Sequence, residues 1–326
     1  MRVLVTGGRG LIGEATVREL TRRGHEVTSF QRHHADHPDA VRQVLGDVTD
    51  PAAVAAAMSG QEAVVHSAAV VDMFGEWDAF ERVNVGGTRT VLDAASAAGV
   101  ERFVLISSPS VAHYGSSLVG ADAGDADPSR TLGHYSTSKA MAERLVLTTP
   151  ADMSVLALRP HLVWGPGDTQ LAGRIIERAR SGRLFLIDGG AALIDTLYVD
   201  NAATAIAQGV ERCHLPQLDH RALVVTNGEP RTVRELMSRM AVAGGAPVPT
   251  RSVPFAVARR AGAVAERAWR VSGASGEPPI TEFLAEQLAT AHWFDQREVR
   301  ELLDWQPEIS LDEGFARLAE SCCTAP

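Results

Sequence analysis

The chain's apolar opening, Val3-Leu4-Val5-Thr6, breaks directly into Gly7-Gly8-Arg9-Gly10-Leu11-Ile12-Gly13, and helix-forming residues follow from Glu14. Strand, glycine turn and helix in that order constrain the fold more than any other segment. They describe the first βα unit of an open parallel sheet. Gly7, Gly10 and Gly13 recur at three-residue spacing. Such a turn lets backbone approach a pyrophosphate and points the free N–H groups of a helix start, here at Leu11 and Ile12, toward the anion. Glycine turns alone are common; the position between strand and helix gives this one its meaning.

The same alternation continues. Strand-like runs at Val27 to Phe30, Ala63 to His66, Phe103 to Ser107 and Ser154 to Leu158 are separated by helix-compatible stretches. Those stretches are Glu14 to Arg23, Pro51 to Met58, Asn84 to Ala98 and Tyr135 to Thr148. This rhythm predicts an α/β fold with a Rossmann-type, doubly wound parallel sheet. After Pro160 it loosens, with a Gly165-Pro166-Gly167 loop, a helix over Thr169 to Ser181 and a late strand over Ala222 to Thr226. A length of 326 residues suits two units. The expected division is a nucleotide-binding unit over 1–165 with a return segment near 191–228. A smaller mixed α/β substrate domain takes 166–190 and 229–326. Thr232 with Glu235, and Ser310 with Glu313, read as capping boxes that start helices in it.

With 31 cations against 40 acids the chain carries a net charge of -9, and aromatics make up 5%. Neither favours nucleic acid as a partner. Three cysteines without metal-ligand spacing, and no signal-peptide pattern, lead to the expectation of a reducing cytoplasm. One stretch departs from the acidic balance: Arg251 to Val271 holds five Arg and one Glu. Phe255, Ala258, Gly262, Ala265 and Trp269 there have near-helical spacing, which reads as a helix packed on the domain or as a surface for a partner or peripheral lipid contact.

The end of the second strand bears on the cofactor. NAD sites commonly place a carboxylate there for the ribose 2'-hydroxyl. Here the residues are Phe30-Gln31-Arg32-His33-His34. With no acid present, and with Arg9 and Arg32 available to pair with a 2'-phosphate, NADPH is expected over NADH. His33, His34 and His37 are read as part of a loop beside a phosphate, and no metal is expected. Asp47 reads either as an adenine contact or as part of the helix start before Pro51.

The chemistry is concentrated in Tyr135-Ser136-Thr137-Ser138-Lys139. Tyr135 and Lys139 lie four residues apart, one turn on one helix face. Of the 31 cationic side chains, 30 are Arg, and Lys139 is the only lysine. A compact ammonium reaches both a phenol and a ribose hydroxyl in a way a planar guanidinium does not. The adjacent cation is expected to lower the phenol toward working pH. Ser108 follows the fourth strand at its carboxyl edge, where it can hydrogen-bond a carbonyl. No Gly-x-Ser-x-Gly elbow surrounds it, so hydrolase chemistry is not read here.

Together the Gly7 to Gly13 loop, Asp47, His66-Ser67-Ala68-Ala69, Asn84, Ser108, Tyr135, Lys139, Arg159-Pro160 and Tyr198-Val199-Asp200-Asn201 resemble an extended short-chain dehydrogenase/reductase. The branch is that of the 3β-hydroxysteroid dehydrogenases and sugar-nucleotide epimerases. The resemblance runs the whole length. It implies Tyr135 as general acid or base, Lys139 as the group that binds nicotinamide ribose and tunes Tyr135, Ser108 as the carbonyl donor, and Asn84 as support for a proton relay. It also implies cofactor contacts at Val48, Ala68, Ala69 and Pro160, and a homodimer.

A narrower resemblance lies in Ser108-Pro109-Ser110-Val111, in Leu158-Arg159-Pro160 with Trp164 to Asp168, and in Asn227-Gly228-Glu229-Pro230. It extends to Gly276-Glu277-Pro278-Pro279 and Phe283 to Leu288. These are similar to the reductases of bacterial long-chain olefin synthesis. That implies reduction of a 2-alkyl-3-oxo acid with NADPH, ahead of β-lactone synthetase and decarboxylase partner enzymes. A steroid dehydrogenase, a sugar-nucleotide epimerase and a cofactor-sensing binding protein stay open as alternatives. Substrate contacts are expected from the Val119 to His134 loop. Arg174, Arg251, Arg259 and Arg260 are candidates for a substrate carboxylate. Trp164, Phe185, Phe255, Phe283 and Trp293 are candidate apolar walls.

Overall fold

The computed structural model describes residues 1–72, 75–149, 152–272 and 278–324, without the side chains of 270 and 324. Gly276 and Glu277 of the narrower resemblance lie outside the described residues.

Seven parallel strands form the central sheet. Their order is Arg221–Val225, Ser154–Pro160, Arg102–Ile106, Ala63–His66, Arg2–Thr6, Glu26–Gln31 and Arg42–Leu45. Period-two alternation sends neighbouring residues to opposite faces. Val3 and Val5 pack with Val17, Leu20, Ala202 and Ile206 of the helices Leu11–Arg22 and Val199–Arg212. Leu4 packs on the other face with Val54, Val91 and Val146, from the helices Pro51–Met58, Thr88–Ala97 and His134–Leu147. Both faces are therefore covered, which is why these strands read as continuous apolar runs. Chain order reverses between Arg2–Thr6 and Ala63–His66, so the Gly7 turn and Ala68 meet at the switch point where such sheets bind ligands.

Two elements differ from the sequence expectation. Arg42–Leu45 is a short edge strand with only two apolar residues and a half-exposed pattern, too little of an apolar run to reveal it. The expected helix from Asn84 instead begins as a π-helical segment, Glu81–Gly87, that passes into the α-helix Thr88–Ala97. Wide π turns inside helices commonly mark functional positions.

The smaller sheet has the order Arg231–Thr232, Leu193–Ile194, His292–Phe294, Leu118–Ala121. It draws the strand Leu118–Ala121 away from the large sheet and so sets the path of the loop that returns to the helix His134–Leu147. A second core of Trp164, Ile175, Met237, Tyr198 and Phe315 lies beneath the helices of this region. Thr232 caps Val233–Ala243 by accepting from Glu235 N at 3.1 Å, and Ser310 accepts from Glu313 N at 3.2 Å. The basic helix Phe255–Ser272 packs Ala258 and Gly262 inward, a Cβ on Gly262 falling 2.6 Å from the Thr281–Glu282 backbone. Val257, Val264 and Val271 face outward. No helix among the described residues is long and apolar enough to cross a membrane.

Candidate active site

The glycine turn forms a cradle that side chains would fill. Gly7 has φ +72°, and a Cβ there would lie 2.8 Å from Ala68 N. One on Gly13 would lie 2.2 Å from Gly7 O. Gly10 occupies the N-cap of Leu11–Arg22 in extended conformation without a side-chain cap, leaving first-turn N–H groups for an anion. Gly8, not singled out in the sequence, is equally constrained, since a Cβ would fall 1.9 Å from Ser29 Oγ. Ser107, at the carboxyl edge of the sheet, has a buried hydroxyl with no hydrogen-bond partner among the described residues. An uncapped helix start above a glycine floor fits a dinucleotide's pyrophosphate.

Arg9 and Arg32 are exposed at this edge. Gln31 is buried, its Nε2 donating to Gln43 Oε1 at 3.0 Å and its Oε1 accepting from Ser29 Oγ, so its amide is engaged beneath the sheet edge. His37 is not part of an open phosphate loop: it is buried and hydrogen-bonded to Ser29 Oγ at 2.9 Å, and burial lowers its pKa. His33 and His34 are exposed. Asp47 Oδ1 accepts from Thr49 N at 2.9 Å and Thr49 Oγ1 at 2.8 Å. The Thr49 backbone bond, with smaller help from Arg32, holds this carboxyl below the usual range. The cap of Pro51–Met58 is Asp50, which leaves Asp47 outside that role. Val48 is buried against Gly87, and Ala68 and Ala69 are half-buried at the end of the neighbouring strand.

The catalytic candidates converge from three elements. Gly133, at φ +83°, turns the chain into the helix His134–Leu147, which carries Tyr135 and Lys139 on one face. Ser108 caps the short 3-10 turn Pro109–Ala112, and its Oγ lies 3.0 Å from Ser110 Oγ. The same hydroxyl faces the Tyr135 phenol and favours its ionised form. Lys139 is buried and donates to Ile106 O at 2.6 Å. Asn84 Oδ1 accepts from Val70 N at 2.7 Å, while Nδ2 donates to Val70 O at 3.1 Å and to Ser138 Oγ at 3.0 Å. Both amide hydrogens are thus engaged, and Asn84 reaches the catalytic helix through Ser138, which donates to Tyr135 O at 2.8 Å. Pro160 ends the adjoining strand Ser154–Pro160.

The electrostatics correct one expectation. Burial pushes the Tyr135 phenol up to about 12, with the Ser108 hydroxyl opposing it. Burial also pulls Lys139 down to about 8, with Glu143 opposing. Desolvation therefore outweighs the neighbouring ammonium, which is engaged by the Ile106 carbonyl. At neutral pH Tyr135 holds its proton, the form needed to protonate a developing alkoxide.

Residues proposed for the substrate disperse. Trp164 is fully buried, stacked on Phe315 and donating to Thr196 Oγ1 at 2.9 Å, so it is core. Arg174 donates to Gln170 Oε1 at 2.9 Å, and Arg259 pairs with Glu282 at 2.7 Å. Arg251 and Arg260 are exposed, while Phe185, Phe255, Phe283 and Trp293 are half-buried. Among the described residues no three His, Cys, Asp or Glu converge as metal ligands.

Residues 4–251 match the model of the 3-beta hydroxysteroid dehydrogenase/isomerase family. The chain belongs to that family. It is an oxidoreductase of the short-chain dehydrogenase/reductase class, in its extended form. The chain is 41% identical to a 2-alkyl-3-oxoalkanoate reductase of Stenotrophomonas maltophilia (strain K279a), covering 98% of this chain and 99% of that one. It is 34% identical to a protein of the same name from Shewanella oneidensis, over 97% and 85%. Among solved structures, MoeE5 in complex with UDP-glucuronic acid and NAD is 26% identical, with a TM-score of 0.73 and 98% of each chain covered. The family and this neighbour support a nicotinamide cofactor at the glycine cradle.

Sequence reasoning missed the Glu143–Arg159 pair beneath the catalytic helix. Arg159 Nε donates to Glu143 Oε2 at 2.8 Å, and both side chains are 1% exposed. The available signal was an acid at the position four after the only lysine.

Proposed function

We propose that the protein reduces the ketone of a long-chain 2-alkyl-3-oxoalkanoate to the 2-alkyl-3-hydroxyalkanoate, with NADPH as reductant. The observation that carries the chemistry is a protonated, half-buried Tyr135 phenol beside the Ser108 hydroxyl, one helical turn from Lys139. The substrate class is supported by the names of the two relatives, which match this chain over nearly its whole length.

A bound reduced nicotinamide supplies the hydride. Ser108 and Tyr135 hydrogen-bond the ketone oxygen and orient the carbonyl. Tyr135 then releases its proton to that oxygen, a contribution of about 10²- to 10⁴-fold. Ser108 and the Lys139 charge stabilise the phenolate that remains until solvent restores the proton. Asn84 keeps the Val70 backbone against the helix start, so its part is to position Tyr135. Preference for NADPH is supported by Arg9 and Arg32, by the missing acid at the strand end, and by the engaged amide of Gln31.

The loop from 122 to 133 and the smaller sheet with its helices form the substrate side in this reading. The hydroxy acid would pass to a β-lactone synthetase and a decarboxylase in olefin synthesis, with the reductase acting as a cytoplasmic homodimer. A panel of ketones tests the function: a long-chain 2-alkyl-3-oxo acid, a 3-ketosteroid and a UDP-sugar, each with NADPH. Consumption of NADPH with the oxo acid and a product of the hydroxy-acid mass is expected. Turnover confined to the steroid or the sugar would overturn the substrate assignment.

A further inference from the structure

Arg159 lies at the junction of three elements. It comes from the central strand Ser154–Pro160, and its guanidinium grips Glu143 on the catalytic helix at 2.5 and 2.8 Å. Its remaining donors reach the carbonyls of Ala123 and Gly124, the latter at 3.1 Å, in the loop that leads from Leu118–Ala121 to the catalytic helix. That loop is held further along by Tyr114, whose hydroxyl donates to Asp125 O at 2.7 Å and whose ring lies under Arg130, 4.1 Å from the guanidinium carbon. Burying both charges of an ion pair is costly, and an apolar pair of similar volume would often serve stability as well. What an apolar pair would not do is join loop carbonyls to a carboxylate one turn behind Lys139.

We propose that Glu143 and Arg159 are positioning residues of the reductase site, acting through Lys139 and through the substrate-side loop. The inference rests on the catalytic reading of Lys139 given above. Tyr135, Lys139 and Glu143 are spaced by four residues on one helix, so the three form a column with Arg159 at its end. In that column the carboxylate supports the Lys139 ammonium against burial, while Arg159 fixes the carboxylate in place. Facing Lys139 from the sheet are the Ile106 carbonyl and His66. His66 bonds Thr6 Oγ1 at 2.8 Å and Thr88 Oγ1 at 3.0 Å, and its pKa is lowered to about 3, so it contributes no charge near neutrality. Glu143 is therefore the anionic group that opposes the effect of burial on Lys139.

The single lysine makes the test direct. Full-length protein labelled with ε-13C lysine gives one side-chain signal, that of Lys139, whose titration needs no substrate. Glu143→Gln is expected to move the midpoint down by about one pH unit, as loss of a nearby charge in a partly shielded interior requires. Should that variant fail to fold, Glu143→Met with Arg159→Met removes the pair without stranding a charge, and a smaller downward shift is expected because the cation leaves with the anion. A midpoint unchanged in the folded variant would overturn the electrostatic half. For the loop, hydrogen exchange of 122–133 is expected to quicken at least about tenfold in the double variant; unchanged exchange there would overturn the coupling. Because neither readout uses turnover, a failed substrate assignment leaves both results interpretable.

Discussion

Lys139 Nζ donates a 2.6 Å hydrogen bond to the carbonyl oxygen of Ile106, the last residue of the strand that leads to Ser108. That one bond connects the helix carrying the phenol to the strand end that leads to Ser108, and Lys139 is 4% exposed there. A guanidinium at the same place has a wider, planar donor set and a longer reach. Lys139→Arg keeps the charge and is still expected to lower turnover by about 10²-fold or more, with weaker NADPH binding. Steady-state rates beside a fluorescence titration of NADPH check both; wild-type turnover would refute the geometric argument.

In the proposed reaction Ser108 would stabilise the oxygen on which charge develops, and its hydroxyl also lowers the Tyr135 pKa. Ser108→Ala is expected to reduce kcat by about 10²-fold, the usual scale for one such donor, with a smaller change in KM. A change confined to KM would place Ser108 in binding alone.

Cofactor choice can be read from Arg32. Arg32→Glu removes a partner for a 2'-phosphate and restores an acid near the strand end. The expected result is a Kd for NADPH raised at least about tenfold, the scale of a lost charge-assisted hydrogen bond, with the Kd for NADH unchanged or lower. Equal weakening of both cofactors would argue against a 2'-phosphate site at Arg32.

Stability should fall in mild acid. Burial lowers His66 to about 3, His161 to about 4 and His292 to about 2. Each is neutral in the folded chain but takes a proton near 6.5 once unfolded. Below that pH the unfolded state binds more protons, so stability is complete above about 6.5 and declines as pH falls toward the folded values. Asp195, raised to about 6 by burial, works in the opposite direction between about 4 and 6. Three imidazoles outweigh one carboxyl, and Tm measured from pH 7 to pH 5 is expected to drop. His161→Phe, which can keep the edge contact to Phe294, is expected to flatten that slope; an unchanged slope would remove His161 from the account.

Much of this molecule was legible in its sequence because the deciding features are local. Gly7, Gly10 and Gly13 announce the cradle by spacing, and Tyr135 with Lys139 announce the helix face. Strands buried on both faces show as plain apolar runs. What stayed hidden depends on contacts between distant segments. The short edge strand Arg42–Leu45 has too little of an apolar run, and the π-helical turn around Asn84 is a backbone property with no residue code. The Tyr135 shift runs opposite to the sequence expectation because proximity to Lys139 shows in the sequence, whereas burial and the Ile106 acceptor do not. Glu143 and Arg159 are separated by 16 positions and meet only when strand and helix pack.

In the proposed reaction Tyr135 delivers the proton that completes ketone reduction. The most direct test of that role is single-turnover oxidation of bound NADPH by wild type and Tyr135→Phe, with a long-chain 2-alkyl-3-oxo acid as acceptor. NADPH is expected to bind both proteins alike, and the reduction rate of the variant to fall by about 10²- to 10⁴-fold. A variant that oxidises NADPH at the wild-type rate would contradict that role.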